Sequence, residues 1–308
     1  MCTARKPSGH STQRRARWHN YKAPGWYMIT LTKNRPTPDL AIVGQVGSSV
    51  CATVTPTGLV ALEAIKGMAS LNEALHTSNI VVMPDHVHFL LHVSARLPKT
   101  LGEFIGALKG SCTRRLDRAV PFFAEGWHDR IIMDVGQIDV IKAYIADNPR
   151  RWWIKRTNPQ LFSTPHAVVI DGEEWCALGN IFLLGDSDLQ SVHISSRYTS
   201  EYLRALKLKW LWTIENGGVL AGAFISEGER RVRDYAMAHG ARLIHLIDHP
   251  IDGRYKPWGR MFELCHEGRL LVIAPARHFA DGTTQRAKFQ RLNRIADLLA
   301  AGAFTLPP

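Results

Sequence analysis

The sequence predicts a chain of two domains, a basic first half that mixes strands with helices and a second half of α/β type built on a parallel sheet. Charge is the first observation behind this. Of the net +11 over 308 residues, residues 1–160 hold 21 Lys+Arg against 11 Asp+Glu, a net +10, and residues 161–308 hold 17 against 16. The second is a change of texture near residue 179, where apolar runs begin to alternate with amphipathic stretches, the pattern of parallel strands joined by crossover helices. Between the halves lies a stretch marked by Pro159, Pro165 and Gly172, and the sequence Arg150-Arg151-Trp152-Trp153-Ile154-Lys155-Arg156 sets the boundary just before it.

The elements follow in order. Residues 1–17 read as a basic arm with Arg5, Lys6, Arg14, Arg15 and Arg17. Tyr27 to Lys33 alternates as a strand. Thr57 to Leu75 has helical apolar spacing, and Ile80 to Val93 is a single apolar strand carrying histidines. Thr100 opens a helix as N-cap, with Glu103 completing a capping box. Its polar side carries Lys109, Arg114 and Arg115, a face suited either to solvent or to a DNA backbone. Gln137 to Asn148 is a further helix, ended by Asn148-Pro149. The first domain thus spans 18–160, an irregular linker 161–178 and the second domain 179–308. In the latter, Asn180 to Asp186 reads as a buried strand, Glu201 to Lys207 as a helix and Leu208 to Thr213 as a strand. Gly217 to Glu229 reads as strand, turn and helix opening, with Ser226 and Glu229 as a second capping box. A helix over 227–239, strands over 242–247 and 269–274 and a helix over 284–301 complete it.

Composition removes several function classes. No apolar stretch reaches the roughly 18 residues that cross a bilayer, and no targeting segment is visible, so the expected location is the cytoplasm with no membrane partner. Five cysteines stand far apart without a Cys-x-x-Cys pair, against a disulfide framework or a zinc-thiolate site. No Gly-x-Gly-x-x-Gly or Walker loop is present, so a nucleotide site is not supported by motif. The basic first half suits a polyanion, of which nucleic acid is the commonest.

Two segments carry candidate chemistry. His86-Val87-His88 lies in an apolar strand of side-chain period two, so both imidazoles face one way while Val87, Phe89 and Leu91 face the other. The pattern suits a partly exposed polar face or a divalent-metal platform awaiting a third ligand. Tyr144 and Asn148, four apart on a helix, are neighbours on one face. A tyrosine hydroxyl is a usable nucleophile beside a cation, and an amide oxygen one turn away is a usable ligand. Taken alone, both residues also suit an amphipathic core tyrosine and a helix-ending asparagine.

Met83-Pro84-Asp85 before the histidines, Gly126-Trp127-His128-Asp129-Arg130-Ile131-Ile132 and Tyr144-Ile145-Ala146-Asp147-Asn148-Pro149 occur together in this order. In this the chain resembles the single-tyrosine HUH transposases, in particular the REP-associated tyrosine transposases, over roughly residues 18 to 160; Ala23 to Arg35 looks like that family's first strand. The resemblance implies a small α+β domain with a central antiparallel sheet. It implies metal binding by His86, His88 and Asn148, with Mg²⁺ or Mn²⁺ as cofactor, and Tyr144 as nucleophile. The family chemistry is single-strand cleavage and strand transfer at hairpin-containing DNA through a 5′-phosphotyrosine. One departure stands out: the family has an aromatic residue and then Asp-His or Glu-His after Trp127, whereas His128-Asp129-Arg130 stands here. Arg130 is a permanent cation, suited to a phosphate contact but not to metal binding. With Lys109, Arg114, Arg115, Arg150 and Arg151 it makes up the expected DNA-binding set.

The second half resembles, through Gly218 to Glu229 and its strand-helix order, the Rossmann-like fold of the DNA-processing protein group Smf/DprA. Two other functions remain open from sequence: a domesticated, non-catalytic DNA-binding regulator, and a nucleotide or nucleic-acid sensor centred on the second domain. The oligomeric state is open between monomer and homodimer.

Overall fold

The computed structural model describes residue 16 and residues 18–116, 120–253 and 255–307. It divides into two units, residues 1–153 and 154–308. The basic arm expected over 1–17 lies almost wholly outside the described residues. Among the described residues, no helix is long and apolar enough to cross a membrane.

The first unit runs β1 (Gly25–Thr32), β2 (Ala41–Val46), β3 (Ser49–Val54), α1 (Pro56–Lys66), β4 (Leu75–Val82), β5 (His86–Val93), α2 (Leu101–Arg115), β6 (His128–Ile132) and α3 (Ile138–Thr157). Its main sheet is antiparallel with order β4-β5-β1-β6, and β2 and β3 form a separate ribbon. Register sorts the side chains of β1 and β5 onto two faces. Tyr27, Ile29 and Leu31 stand opposite Leu91, Phe89 and Val87, and all six are buried against α1 and α2 through Ala61, Ile65, Phe104, Ile105 and Leu108. On the other face, Leu90 and Ile132 pack against Ile138, Ile141 and Ile145 of α3. The capping box expected for α2 is present, with the Thr100 N–H donating to Glu103 Oε2 at 2.8 Å.

Three expected elements are corrected here. The histidine strand is two strands: Met83-Pro84-Asp85 turns the chain between β4 and β5, closed by a bond from Met83 N–H to His86 O at 2.8 Å. Proline has no N–H for a ladder, and here its carbonyl instead accepts from Leu40 N–H at 2.9 Å. The helix expected over 57–75 stops at Lys66, passes through a 3₁₀ turn over Gly67–Ser70, and gives way to β4 at Leu75. The helix expected to end at Asn148 continues through Pro149 to Thr157, and the division between the units falls inside it.

The second unit holds α4 (Pro159–Phe162), β7 (His166–Ile170), β8 (Glu173–Gly179), β9 (Leu189–Ser191), α5 (Ser200–Glu215), β10 (Val219–Gly222), α6 (Glu227–Ala238), β11 (Arg242–Leu246), α7 (Arg260–His266), β12 (Leu270–Pro275), α8 (Gln285–Ala300) and β13 (Phe304–Thr305). Its sheet has the order β13-β7-β8-β12-β11-β10-β9. It is mixed, which corrects the expected parallel sheet: β9 to β12 are parallel, whereas β8 pairs antiparallel with β12, and β7 with β8 and β13. The antiparallel part is built from the stretch expected to be an irregular linker. Asp171 and Gly172, at φ of 56° and 73°, make the two-residue turn joining β7 to β8, because a turn with both centres in the left-handed region matches the twist of a hairpin.

Two strands expected in this half are helical. Over Ile181–Gly185 the Asn180 side chain accepts from Phe182 N–H at 3.1 Å and winds the chain into a 3₁₀ turn. Leu208 to Thr213 belongs to α5, whose buried residues Trp210, Thr213 and Ile214 follow helical spacing. The expected capping box of α6 forms, with Ser226 Oγ accepting from Glu229 N–H at 3.2 Å.

Burial pushes the His245 imidazole of β11 down to about 4 from its ordinary 6.5, and the charge of Arg233 adds to this. The unfolded chain therefore binds a proton that the folded chain refuses between these values. The stability from keeping this ring neutral is complete above about pH 6.5 and is lost as pH falls toward 4, a difference of about 3 kcal/mol. Denaturant unfolding of the full chain should show the second unit losing stability across that window, and His245→Gln should remove most of the loss.

Candidate active site

The register of β1 against β5 sets Thr30 opposite His88 and Thr32 opposite His86, so these four side chains share the face on which α3 packs. Each imidazole is held on one nitrogen. Thr30 Oγ1 lies 2.8 Å from His88 Nδ1, and Asp85 Oδ1, in the turn before β5, lies 2.7 Å from His86 Nδ1. The two rings have centroids 4.5 Å apart. His88 is buried and His86 half-buried. Engaging both Nδ1 atoms assigns any bond to a cation to Nε2, and a carboxylate or hydroxyl behind a ligating imidazole is the usual means of fixing its orientation.

Helix α3 brings Tyr144 to this face. Ile138, Ile141 and Ile145 dock the helix on Leu90 and Ile132, and Tyr144, adjacent to Ile145, places its ring 6.2 Å from that of His88. Tyr144 remains 42 % exposed. The Arg151 guanidinium sits 5.8 Å from the Tyr144 ring centroid, and Arg151 also approaches Asp147 Oδ2 at 3.7 Å.

Asn148 has a local role that explains why α3 outlasts its proline. Pro149 brings no N–H to the carbonyl four residues back, that of Ile145. The Asn148 amide donates from Nδ2 to Tyr144 O at 2.8 Å and, more weakly, to Ile145 O at 3.4 Å. With Nδ2 committed to the helix backbone, Oδ1 is the remaining acceptor on that side chain. Among the described residues, no group of three or more His, Cys, Asp and Glu side chains is assembled to hold a metal ion. His86 and His88 stand as a pair, ring centroids 4.5 Å apart.

The expected DNA-contacting cations are placed unevenly. The Lys109 ammonium donates to Ala124 O at 2.5 Å and Gly126 O at 2.8 Å and so ties down the loop before β6. Arg115 pairs with Glu63 at 3.5 Å, and Arg114 is exposed at the end of α2. Arg130 stands opposite Met28, on the histidine face, and reaches Gln137 Oε1 at 3.4 Å. Arg150 grips Asp147 through two bonds of 2.6 and 3.2 Å. Sequence reasoning missed Thr30 and Asp85 as supports of the imidazoles. Alternation along β1 was the available signal for Thr30, since a threonine in phase with Met28 and Thr32 lies off the apolar core face.

Residues 60–148 match the family described as "Transposase IS200 like". That span is less than a third of the chain, and it contains His86, His88, Tyr144 and Asn148. Among solved structures, a REP-associated tyrosine transposase bound to a REP hairpin is similar at 15% identity and a TM-score of 0.35, covering 45% of this chain and 74% of that one. A protein from Deinococcus radiodurans R1, described as a candidate transposase, is similar at 20% identity and a TM-score of 0.27, covering 43% of this chain and 95% of that one. Superpositions this loose carry no weight for chemistry. No curated protein matches the chain.

The Asn148 arrangement is testable on its own. Asn148→Leu should cost about 1–2 kcal/mol in denaturant unfolding, because it strands the Ile145 carbonyl. In a Pro149→Ala background, where the backbone N–H returns, the loss should shrink; an equal loss in both backgrounds would contradict this role. Residues 60–148 of the first unit are thus similar to the IS200-like transposases, the same direction in which the motifs of the sequence resemble the single-tyrosine HUH transposases.

Proposed function

We propose that the first unit is a metal-dependent single-strand DNA endonuclease and strand transferase that forms a 5′-phosphotyrosine on Tyr144 at hairpin-containing DNA. The observation that carries this is the convergence of His86 and His88 with Tyr144 of α3 on one sheet face, ring to ring at 6.2 Å for His88. The match over residues 60–148 supports it, as does the +10 of residues 1–160. Lys109, Arg114, Arg115, Arg130, Arg150 and Arg151 are the cations proposed for phosphate contact.

The residues present fit a divalent ion. His86 and His88 are the proposed imidazole ligands and Asn148 Oδ1 the proposed third; a mixed nitrogen and oxygen set suits Mg²⁺ or Mn²⁺, with the imidazoles favouring Mn²⁺. When bound, such an ion polarises a non-bridging oxygen of the scissile phosphate. The protein's own part is nucleophile and positioning. Tyr144 Oη forms a P–O bond as the P–O3′ bond breaks; the phenolic proton leaves, and the departing 3′ oxygen takes one up. A second 3′ hydroxyl reverses the step and joins strands without another energy source, since the ester bond is conserved. Arg151, beside the Tyr144 ring and tied to Asp147, steadies the tyrosine and lends positive charge near the attacking oxygen.

Tyr144→Phe should reduce cleavage of a hairpin-bearing single strand to background on a denaturing gel while leaving binding nearly unchanged; retained cleavage would remove Tyr144 from its role. Thr30→Val, which strips the support of His88, should weaken Mn²⁺ binding by about tenfold in a paramagnetic-resonance titration. Binding of single-stranded DNA should weaken steeply with salt, because cations displace counterions from phosphates. Full wild-type cleavage in chelator would contradict the metal dependence.

A further inference from the structure

Helix α5 turns one side to its own sheet and leaves another uncovered. Trp210, Thr213 and Ile214 are its buried residues, and the Trp210 indole N–H donates to Ser191 O of β9 at 2.8 Å, so the helix is anchored by that side. On the side away from the sheet, Leu208 is 60% exposed and Trp212, one turn further on, is 58% exposed. Large apolar side chains this open on adjacent turns form a patch of the kind that marks an association surface. The patch continues into a groove of about 550 Å³ between α5 and α6, walled by Leu203, Leu211, Val232 and Tyr235 among others.

The charges beside this patch have a specific order. Arg204, Leu208, Leu211 and Glu215 are spaced four, three and four residues apart, the spacing of a seam along one helix face. Arg204 and Glu215 are exposed, and neither has a hydrogen bond or an ion pair among the described residues. The leucines hold the middle of the seam and the opposite charges its ends. Arg204 and Glu215 have the same midpoint as Leu208 and Leu211, between Lys209 and Trp210. A two-fold axis through that midpoint lays α5 antiparallel on the α5 of a second copy. It sets Arg204 against Glu215 of the partner subunit and Leu208 against Leu211 of the partner subunit, with the reciprocal pairs following by symmetry. Trp212 and the aliphatic stem of Lys207 flank the seam on its two sides. A parallel pairing would instead set each end charge against its like, which is repulsive. A partner of a single charge sign matches only one end of the seam, whereas a second copy matches both.

We propose that the chain forms a homodimer through α5, as an antiparallel helix pair centred between Lys209 and Trp210. The helix has 16 residues, about 24 Å of length, so the contact holds the four seam residues and Trp212 of each copy. An interface of this extent is at the small end for a specific complex, and the dimer exchanges with monomer as concentration falls. This interface lies in the second unit alone and is independent of the chemistry at Tyr144.

The test is sedimentation velocity of the full-length chain, without DNA, over a concentration series through the micromolar range. The wild type should pass from monomer to dimer. Arg204→Glu and Glu215→Arg should each weaken association by about tenfold or more, because on a two-fold axis one substitution turns two attractions into two repulsions. Mixed in equal amounts, with one of them fluorescently labelled, these two variants should pair as well as the wild type, since each acidic position then faces a basic one across the axis. Leu208→Lys changes a side chain that is already exposed in the single chain, so it should leave the circular dichroism unchanged and abolish the dimer. A wild type that stays monomeric, single variants that dimerise like the wild type, or a mixture that associates no better than its components would each overturn the proposal.

Discussion

The docking of α3 on the antiparallel sheet is the interaction on which the candidate site depends. Ile138, Ile141 and Ile145 press against Leu90 and Ile132, and this apolar contact fixes the rotation of the helix about its axis. Tyr144 is thereby directed to the face that bears His86 and His88. The register of β1 with β5 supplies the other half of the geometry, since a slip of one residue would send both imidazoles into the core and expose Phe89. The placement of Tyr144 beside His88 thus rests on two ordinary packing facts, each set by apolar residues. Asn148 joins the two roles, because the amide that holds the helix together past Pro149 is the same group proposed to face the cation.

The second unit follows a different logic. Its parallel strands bring loops together at one edge, and there Glu229 locks the turn after β10 to the loop after β9 through three backbone N–H groups. That internal carboxylate occupies the position where a dinucleotide-binding turn would receive phosphate, in keeping with the lack of a glycine fingerprint in the sequence.

How much was legible in the sequence depended on how local the determinant was. Capping boxes at Thr100 and Ser226 are written in four residues each, and both form. The period-two pattern of β5 sorted Val87, Phe89 and Leu91 from the histidines. Errors arose where a tertiary or backbone effect overrode local pattern. Met83-Pro84-Asp85 looked like part of a strand because apolar residues flank it on both sides. Pro149 looked like a helix end because the rescue by Asn148 depends on a side-chain bond, not on propensity. The β7–β8 hairpin was missed although Asp171-Gly172 between alternating segments is a strong local signal. Leu208 to Thr213 is a short apolar run that reads as a strand, but it lies in α5, which buries Trp210, Thr213 and Ile214 at helical spacing. Alternation along β1 places Thr30 off the core face, but pairing it with His88 requires the strand register, and pairing Asp85 with His86 requires the geometry of the turn.

The central claim, that the sheet-docked tyrosine is the nucleophile, is tested most directly by identifying a covalent adduct. The full chain would be incubated with a hairpin-bearing single strand and Mn²⁺, digested with protease and nuclease, and its peptides analysed by tandem mass spectrometry. The account predicts a nucleotide joined through its 5′ phosphate to the peptide containing Tyr144, at that residue. An adduct on any other residue, or cleavage of the strand with no adduct at all, would contradict it.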